Sequence, residues 1–346
     1  MKAGIYNGPE DIRVEDVSDP RISEPTDAIV RITHACICGS DLWFYRGIAK
    51  NWEPGWRTGH ELAGVVEAVG SDVTSFKAGD VVIAPFVFSD GTCEFCRIGL
   101  QTSCVNGSAW GGPDQDGGQG EAARVPFADA TLVAVPKEAQ SDDALMRSIL
   151  PLTDVMGTGH HAAVAAGVSE GSTAAVVGDG AVGLCGVLAA ARLGADRIIM
   201  LGHHDDRLEL ARKFGATDVV TSRDEEAIEE VQELTSGGTG SVLECVGNQS
   251  AMDTAIGIAR PGGTVGFVGV PHAVQAFNVR RMFGENISIA GGVAPVRAYM
   301  DELLDDVLAG RLDPGPVLSM EVGLDDLSSG YAAMDQRTAL KVMVRP

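Results

Sequence analysis

The sequence predicts an α/β protein in two parts, a region of short, partly barrel-like antiparallel strands and a doubly wound parallel sheet. Three observations carry this. From Gly171 to about Ala290, apolar strands alternate with Ala- and Leu-rich helices, the texture of a parallel sheet. Before that stretch, short β-branched runs are separated by turns, as in an antiparallel β region. At Gly178 a G-x-G-x-x-G follows a strand and opens a helix. A chain of 346 residues is long enough for about two domains.

In chain order, the first part is expected to hold strands at 28–33, 64–69 and 80–84. The parallel sheet is expected to take 173–177, 197–201, 218–221, 241–246 and 264–268, with the helix after the glycine motif running through Leu193. An acidic amphipathic helix over 299–309 and a terminal strand over 340–344 complete the reading. Changes of texture near 156 and 290 divide the chain into 1–155, 156–289 and 290–346.

Charge narrows the function. With 26 Lys and Arg against 48 Asp and Glu, the net charge is −22 and the pI about 4.6, and no basic stripe offsets it. Such a surface repels a phosphate backbone or an anionic bilayer, so nucleic acid and membrane are not expected partners. Met1–Tyr6 lacks a basic region followed by an apolar core, and no stretch offers the ~18 apolar residues a bilayer span needs, which predicts a cytoplasmic protein. Of seven cysteines, Cys93, Cys96 and Cys104 crowd together, which in a reducing compartment favours metal over disulfides.

In the glycine motif Gly178 permits the tight turn and Gly180 the approach of a pyrophosphate to the backbone. Gly183 allows close helix packing, while Ala181 and Val182 open the helix whose amino terminus faces the phosphates. About 20 residues on, an NAD site places an acid at the strand end. Here that position is Gly202, followed by His203, His204 and Arg207, with Arg223 further along. The missing acid favours NADP(H) over NAD(H), the basic groups meeting a 2′-phosphate, and a Gly202→Asp change is expected to move preference toward NADH. In an alternative register Asp205 binds the ribose diol.

The spacing C-x₂-C-x₇-C over Cys93, Cys96 and Cys104 suits Zn²⁺, and Asp90, three residues before Cys93, is the candidate fourth ligand of a closed structural site. Separately, the segments Cys36-Ile37-Cys38-Gly39-Ser40-Asp41, Gly59-His60-Glu61 and Leu152-Thr153-Asp154-Val155 offer a thiolate, an imidazole and a carboxylate, three ligands that would leave a zinc position open for chemistry.

Taken together these residues resemble the zinc-containing medium-chain alcohol dehydrogenases over nearly the whole chain. Gly59-His60-Glu61-x-x-Gly64-x-x-x-x-x-Gly70 matches the family's zinc signature, alongside Cys38-Gly39-Ser40-Asp41, the cysteine loop and the later glycine motif, all in this order. The resemblance implies a chaperonin-10-like β-barrel catalytic domain over 1–155, interrupted by a Rossmann domain over 156–289, with 290–346 returning to the catalytic domain. It implies that Cys38, His60 and Asp154 hold catalytic zinc, with Glu61 either a direct ligand or just behind. Asp41 would orient the His60 ring, the role of a carboxylate behind a metal-bound imidazole. Ser40 would bond the substrate oxygen. The implied activity is hydride transfer between NADP(H) and an alcohol, aldehyde or ketone, by a homodimer or homotetramer.

Three departures from the family pattern stand out. Asp90 replaces the first of four lobe cysteines, Trp43 stands where many members carry a relay histidine, and Gly202 resembles the NADP-preferring microbial branch. A polyol or sugar dehydrogenase shares nearly the whole motif set, and a non-catalytic nucleotide-binding protein could retain the fold. Cys185 and Cys245 read as small core residues, His160 and His161 as helix or pocket-edge residues, and 224–233 as a solvated acidic helix face.

Overall fold

The computed structural model describes residues 1–112, 115–272 and 274–346. These form two compact units, Met1–Asp154 with Pro295–Pro346, and Val155–Ala294.

The first unit is built on a seven-stranded sheet whose long central strand, Ala28–Ile37, is almost entirely buried. It pairs antiparallel with Leu62–Val69 on one side and with the carboxyl-terminal strand Val342–Arg345 on the other. β-Branched and aliphatic residues dominate all three, as a pleated surface buried on its inner face favours. Ile37, Leu62, Val82, Leu132, Tyr331 and Val342 are among the apolar residues that fill the core. The acidic helix near the end spans Val296–Leu308 and buries Met300, Leu303 and Leu304.

One polar cluster ties the terminal strand to this frame. Arg345 donates to Nε2 of His34 at 2.7 Å, to Glu321 at 2.8 Å and to Asp143. An arginine donating to Nε2 needs that nitrogen unprotonated, and burial together with the Arg345 charge pushes the His34 pKa from 6.5 down to about 4. The unfolded chain therefore binds an extra proton between pH 6.5 and 4, so stability rises with pH across that window. Acidification from neutrality to pH 4 should cost about 3 kcal/mol through this group. His34→Gln should flatten that part of the urea-unfolding profile; an unchanged slope would refute the assignment.

The second unit carries a six-stranded, all-parallel sheet. Its order is Asp218–Val220, Arg197–Leu201, Thr173–Val177, Thr239–Glu244, Ala259–Phe267 and Ser288–Gly291. The reversal of strand order between Thr173–Val177 and Thr239–Glu244 creates a topological switch point, the place where doubly wound sheets bind ligands. The strand expected over 264–268 begins earlier, at Ala259, which already pairs with Thr239 ahead of a register irregularity that leads to the pairing of Ser241 with Thr264. Cys185 is fully buried in the helix Ala181–Arg192, as its size suggests. Cys245 lies just past the strand Thr239–Glu244 instead of within it. His160 is buried within the helix Val155–Ala165, and the acidic run forms the helix Asp224–Thr235 with only Ala227 and Val231 buried.

Candidate active site and coenzyme loop

In the first unit, three separate segments bring their polar side chains to one place. Cys38 follows the central strand, His60 and Glu61 precede Leu62–Val69, and Asp154 ends a 3-10 turn over Leu150–Thr153. Gly59 makes the approach possible. Its φ is +91°, and a Cβ there would lie 2.7 Å from the Gln119 backbone nitrogen, so only glycine sets His60 in this position.

The Cys38 Sγ lies 3.2 Å from Asp154 Oδ2, and His60 Nε2 lies 3.4 Å from the same oxygen. One ligand atom from each of Cys38, His60, Glu61 and Asp154 falls within 4.8 Å of the others. Three acidic or thiol groups around one imidazole repel one another as anions unless a cation joins them. Burial opposes charge on His60, but the facing Asp41 and Cys38 outweigh it and raise its pKa well above normal. Asp154 is buried, yet its contacts with His60 hold its pKa down at about 2. A cluster so ready to hold positive charge, with one Glu61 oxygen buried and without a hydrogen-bond partner, fits a divalent metal.

Asp41 stands behind His60, with Oδ1 3.2 Å from Nδ1, while Oδ2 accepts the Cys38 backbone N–H at 3.0 Å. That contact fixes the imidazole so that Nε2 faces Asp154 and the thiol. Ser40, half-buried, caps the short helix Asp41–Tyr45 without using its hydroxyl for the cap, which leaves the hydroxyl available.

Two supports escaped the sequence reading. Lys341, 1% exposed, donates to Glu61 Oε1 at 2.5 Å and neutralises a carboxylate that burial pushes up in pKa. Gln119 donates to the Cys36 carbonyl at 2.9 Å and to Asp41 at 3.3 Å, and accepts from Thr58 and Tyr331. A lysine inside the apolar run 339–344 was the one available signal, since a buried cation requires a buried anion. Trp110 is 4% exposed and donates to the Pro85 carbonyl, placing it in the core. Trp52 stacks on Phe44 at 4.0 Å, and Phe86 lies edge-on to His60 at 6.3 Å.

The side chains of the cysteine loop also lie together. Asp90, Cys93, Cys96 and Cys104 offer ligand atoms within 4.8 Å of one another. Asp90 accepts from the Thr92 and Cys93 backbones at 2.7 and 3.0 Å and from Asn106 at 2.7 Å. Burial pushes the Asp90 pKa up, but these bonds together outweigh it and hold the carboxyl well below the usual carboxylate range.

In the second unit the glycine motif sits at the switch point. Gly178 has φ +108°, Gly180 meets nothing within 4 Å of an added Cβ, and a Cβ at Gly183 would lie 1.7 Å from the Gly178 carbonyl. These are the turn, the open approach and the close packing that a pyrophosphate site requires, at the start of the helix Ala181–Arg192. At the neighbouring strand end, His204 and Arg207 are part-buried, whereas His203 and Arg223 are exposed. A Cβ at Gly202 would lie 2.6 Å from the Asp179 Cβ, so Gly202→Asp requires Asp179 to move, a constraint invisible in the sequence.

A β unit with a candidate metal centre and a parallel sheet with a dinucleotide loop define a zinc-type oxidoreductase. Residues 24–137 match the alcohol dehydrogenase GroES-like domain and residues 181–309 the zinc-binding dehydrogenase family. A zinc-type alcohol dehydrogenase-like protein of Bacillus subtilis is 33% identical over the full length of both chains. Zinc-type alcohol dehydrogenase B of Aspergillus flavus is 31% identical, covering 100% of this chain and 81% of that protein. Among solved structures, an alcohol dehydrogenase from Thermus sp. ATN1 superposes with a TM-score of 0.92 at 33% identity, covering 100% and 99% of the two chains. The zinc-dependent alcohol dehydrogenase 2 of Streptococcus pneumoniae gives 0.91 at 32%, covering 100% and 98%. The chain belongs to the zinc-containing medium-chain alcohol dehydrogenase family. Among the described residues, no helix is long and apolar enough to cross a membrane.

Proposed function

We propose that this protein transfers a hydride between NADP(H) and a small alcohol on one side, or the matching aldehyde or ketone on the other. The observation that carries the reading is the convergence of Cys38, His60, Glu61 and Asp154 within 4.8 Å. When bound, zinc supplies a Lewis acid for the substrate oxygen, and the nicotinamide supplies or accepts the hydride. Cys38, His60 and Asp154 hold that metal. Asp41 orients His60, Ser40 offers its hydroxyl to the substrate oxygen and relays the proton an alcohol releases by giving up its own to solvent, and Phe86 shields the imidazole. Glu61, neutralised by Lys341, stands beside the ligands without adding net charge. Asp90, Cys93, Cys96 and Cys104 hold a second, structural zinc. Gly178, Gly180, Ala181, Val182 and Gly183 cradle the pyrophosphate, while Gly202, His203, His204 and Arg207 meet the adenosine end.

The absence of an acid at Gly202 supports NADP(H) over NAD(H). We also propose a cytoplasmic homodimer or homotetramer. The outer strand Ser288–Gly291 and the nearby Val279 and Phe283, 66% and 87% exposed, offer a face for a second copy. Sedimentation velocity reads that state directly.

Metal analysis of gently purified protein should find about two Zn²⁺ per chain. Chelation should abolish NADPH oxidation in the presence of simple aldehydes, and added zinc should restore it. Absence of zinc, or turnover that survives chelation, would refute the reading. A panel of secondary alcohols against polyols separates this activity from that of a polyol dehydrogenase.

A further inference from the structure

We propose that Asp179, the residue between the first two glycines of the coenzyme loop, sets how strongly the site distinguishes NADP(H) from NAD(H). This rests on the dinucleotide reading above. Asp179 is 8% exposed, and its Oδ2 accepts the backbone N–H groups of His203 and His204 at 2.7 and 2.9 Å. The same oxygen faces His204 Nδ1 at 2.9 Å, and Oδ1 lies 3.7 Å from the Arg207 guanidinium. One carboxylate thus engages two backbone donors and both part-buried basic side chains at the end of the strand Arg197–Leu201.

Those are the groups a 2′-phosphate would use. A ribose diol instead needs an acceptor, ordinarily an acid on the strand end itself. Here the strand end is Gly202, and a side chain on it would begin 2.6 Å from Asp179 Cβ and 2.8 Å from Asp179 Oδ2. Asp179 therefore occupies, from the glycine loop, the space a strand-end carboxylate would fill. Burial works against its ionisation, but the His203 and His204 bonds outweigh that and keep it charged. Its charge offsets His204 and Arg207 and presents an acceptor to the diol. The protein consequently binds NADP(H) less selectively than the basic cluster alone dictates.

The test measures dissociation constants of NADP⁺ and NAD⁺ for the full chain by titration calorimetry, which needs no turnover. Asp179→Asn keeps an oxygen for the two backbone donors and removes the charge. It should raise the ratio of NADP⁺ to NAD⁺ affinity by about tenfold or more. Adding Arg207→Gln should cancel that gain, because the freed guanidinium is what the phosphate gains. A ratio that is unchanged or lowered in Asp179→Asn overturns the proposal. Should that variant fail to fold, Arg207→Gln alone decides: with Arg207 already offset, the ratio should fall by less than about threefold, and a loss of about tenfold overturns the proposal. Binding of neither nucleotide by the unmodified protein overturns the functional reading instead, a result none of the other outcomes resembles.

Discussion

His60→Ala is expected to lower kcat/KM by about a thousandfold, the rate equivalent of about 4 kcal/mol of lost charge stabilisation at the reacting oxygen. The same variant should bind one zinc fewer per chain. His60 Nε2 and the Cys38 thiol both lie against Asp154 Oδ2, and losing His60 leaves only Cys38 and Asp154 of the three proposed ligands, too few to retain the metal. Asp41→Asn provides the graded control. It alters only the group behind the imidazole, so zinc should stay largely bound while activity falls by about 10- to 100-fold. A His60→Ala enzyme with unchanged turnover, or with both metals retained, would sink the assignment of the catalytic centre.

Lys341→Met is the second large effect, and it acts on stability. Lys341 and Glu61 are 1% and 0% exposed, and each is the other's charge partner at 2.5 Å. Burial disfavours the ammonium, but Glu61 outweighs it and raises the lysine pKa well above normal. Removing the lysine strands a carboxylate where no water reaches, at a cost of about 3 to 5 kcal/mol. Adding Glu61→Gln to the same variant removes that stranded charge and should recover more than half of the loss. Urea-unfolding midpoints of the single and double variants, compared after metal removal, separate this effect from ligand loss. If the single variant shifts by less than about 1 kcal/mol, the pair is not the anchor argued here.

Much of the fold was legible because local pattern and global structure agree. The strands Thr173–Val177 and Arg197–Leu201 have the bounds their apolar runs predict, since turns of Gly and polar residues punctuate both ends. The cysteine loop was legible from its C-x₂-C-x₇-C spacing, whereas Cys38, His60 and Asp154, far apart in the chain, were drawn together only by the family resemblance. What escaped reading were partners distant in sequence. Lys341 reaches Glu61 across 280 positions, and Gln119 reaches Tyr331 across 212. Asp179 was in plain view within the glycine motif, yet its role depends on the chain folding back across 24 positions so that its carboxylate meets the His203 amide. Spacing rules describe contiguous segments, and none of these three interactions is contiguous.

The discontinuity of the first unit also governs the order in which the chain can mature on the ribosome. The strand Ala28–Ile37 finds one neighbour, Leu62–Val69, early, but its other neighbour, Val342–Arg345, is made only after the whole of Val155–Ala294. At about 5 to 20 residues per second, the Glu61 carboxylate waits on the order of tens of seconds for its lysine. The parallel sheet of Val155–Ala294 is synthesised within that interval and depends on no later segment for its six strands. The coenzyme-binding unit can thus be complete while the metal-binding unit is still open, and a transcript cut before Leu340 would yield a chain that binds dinucleotide but never closes its catalytic sheet.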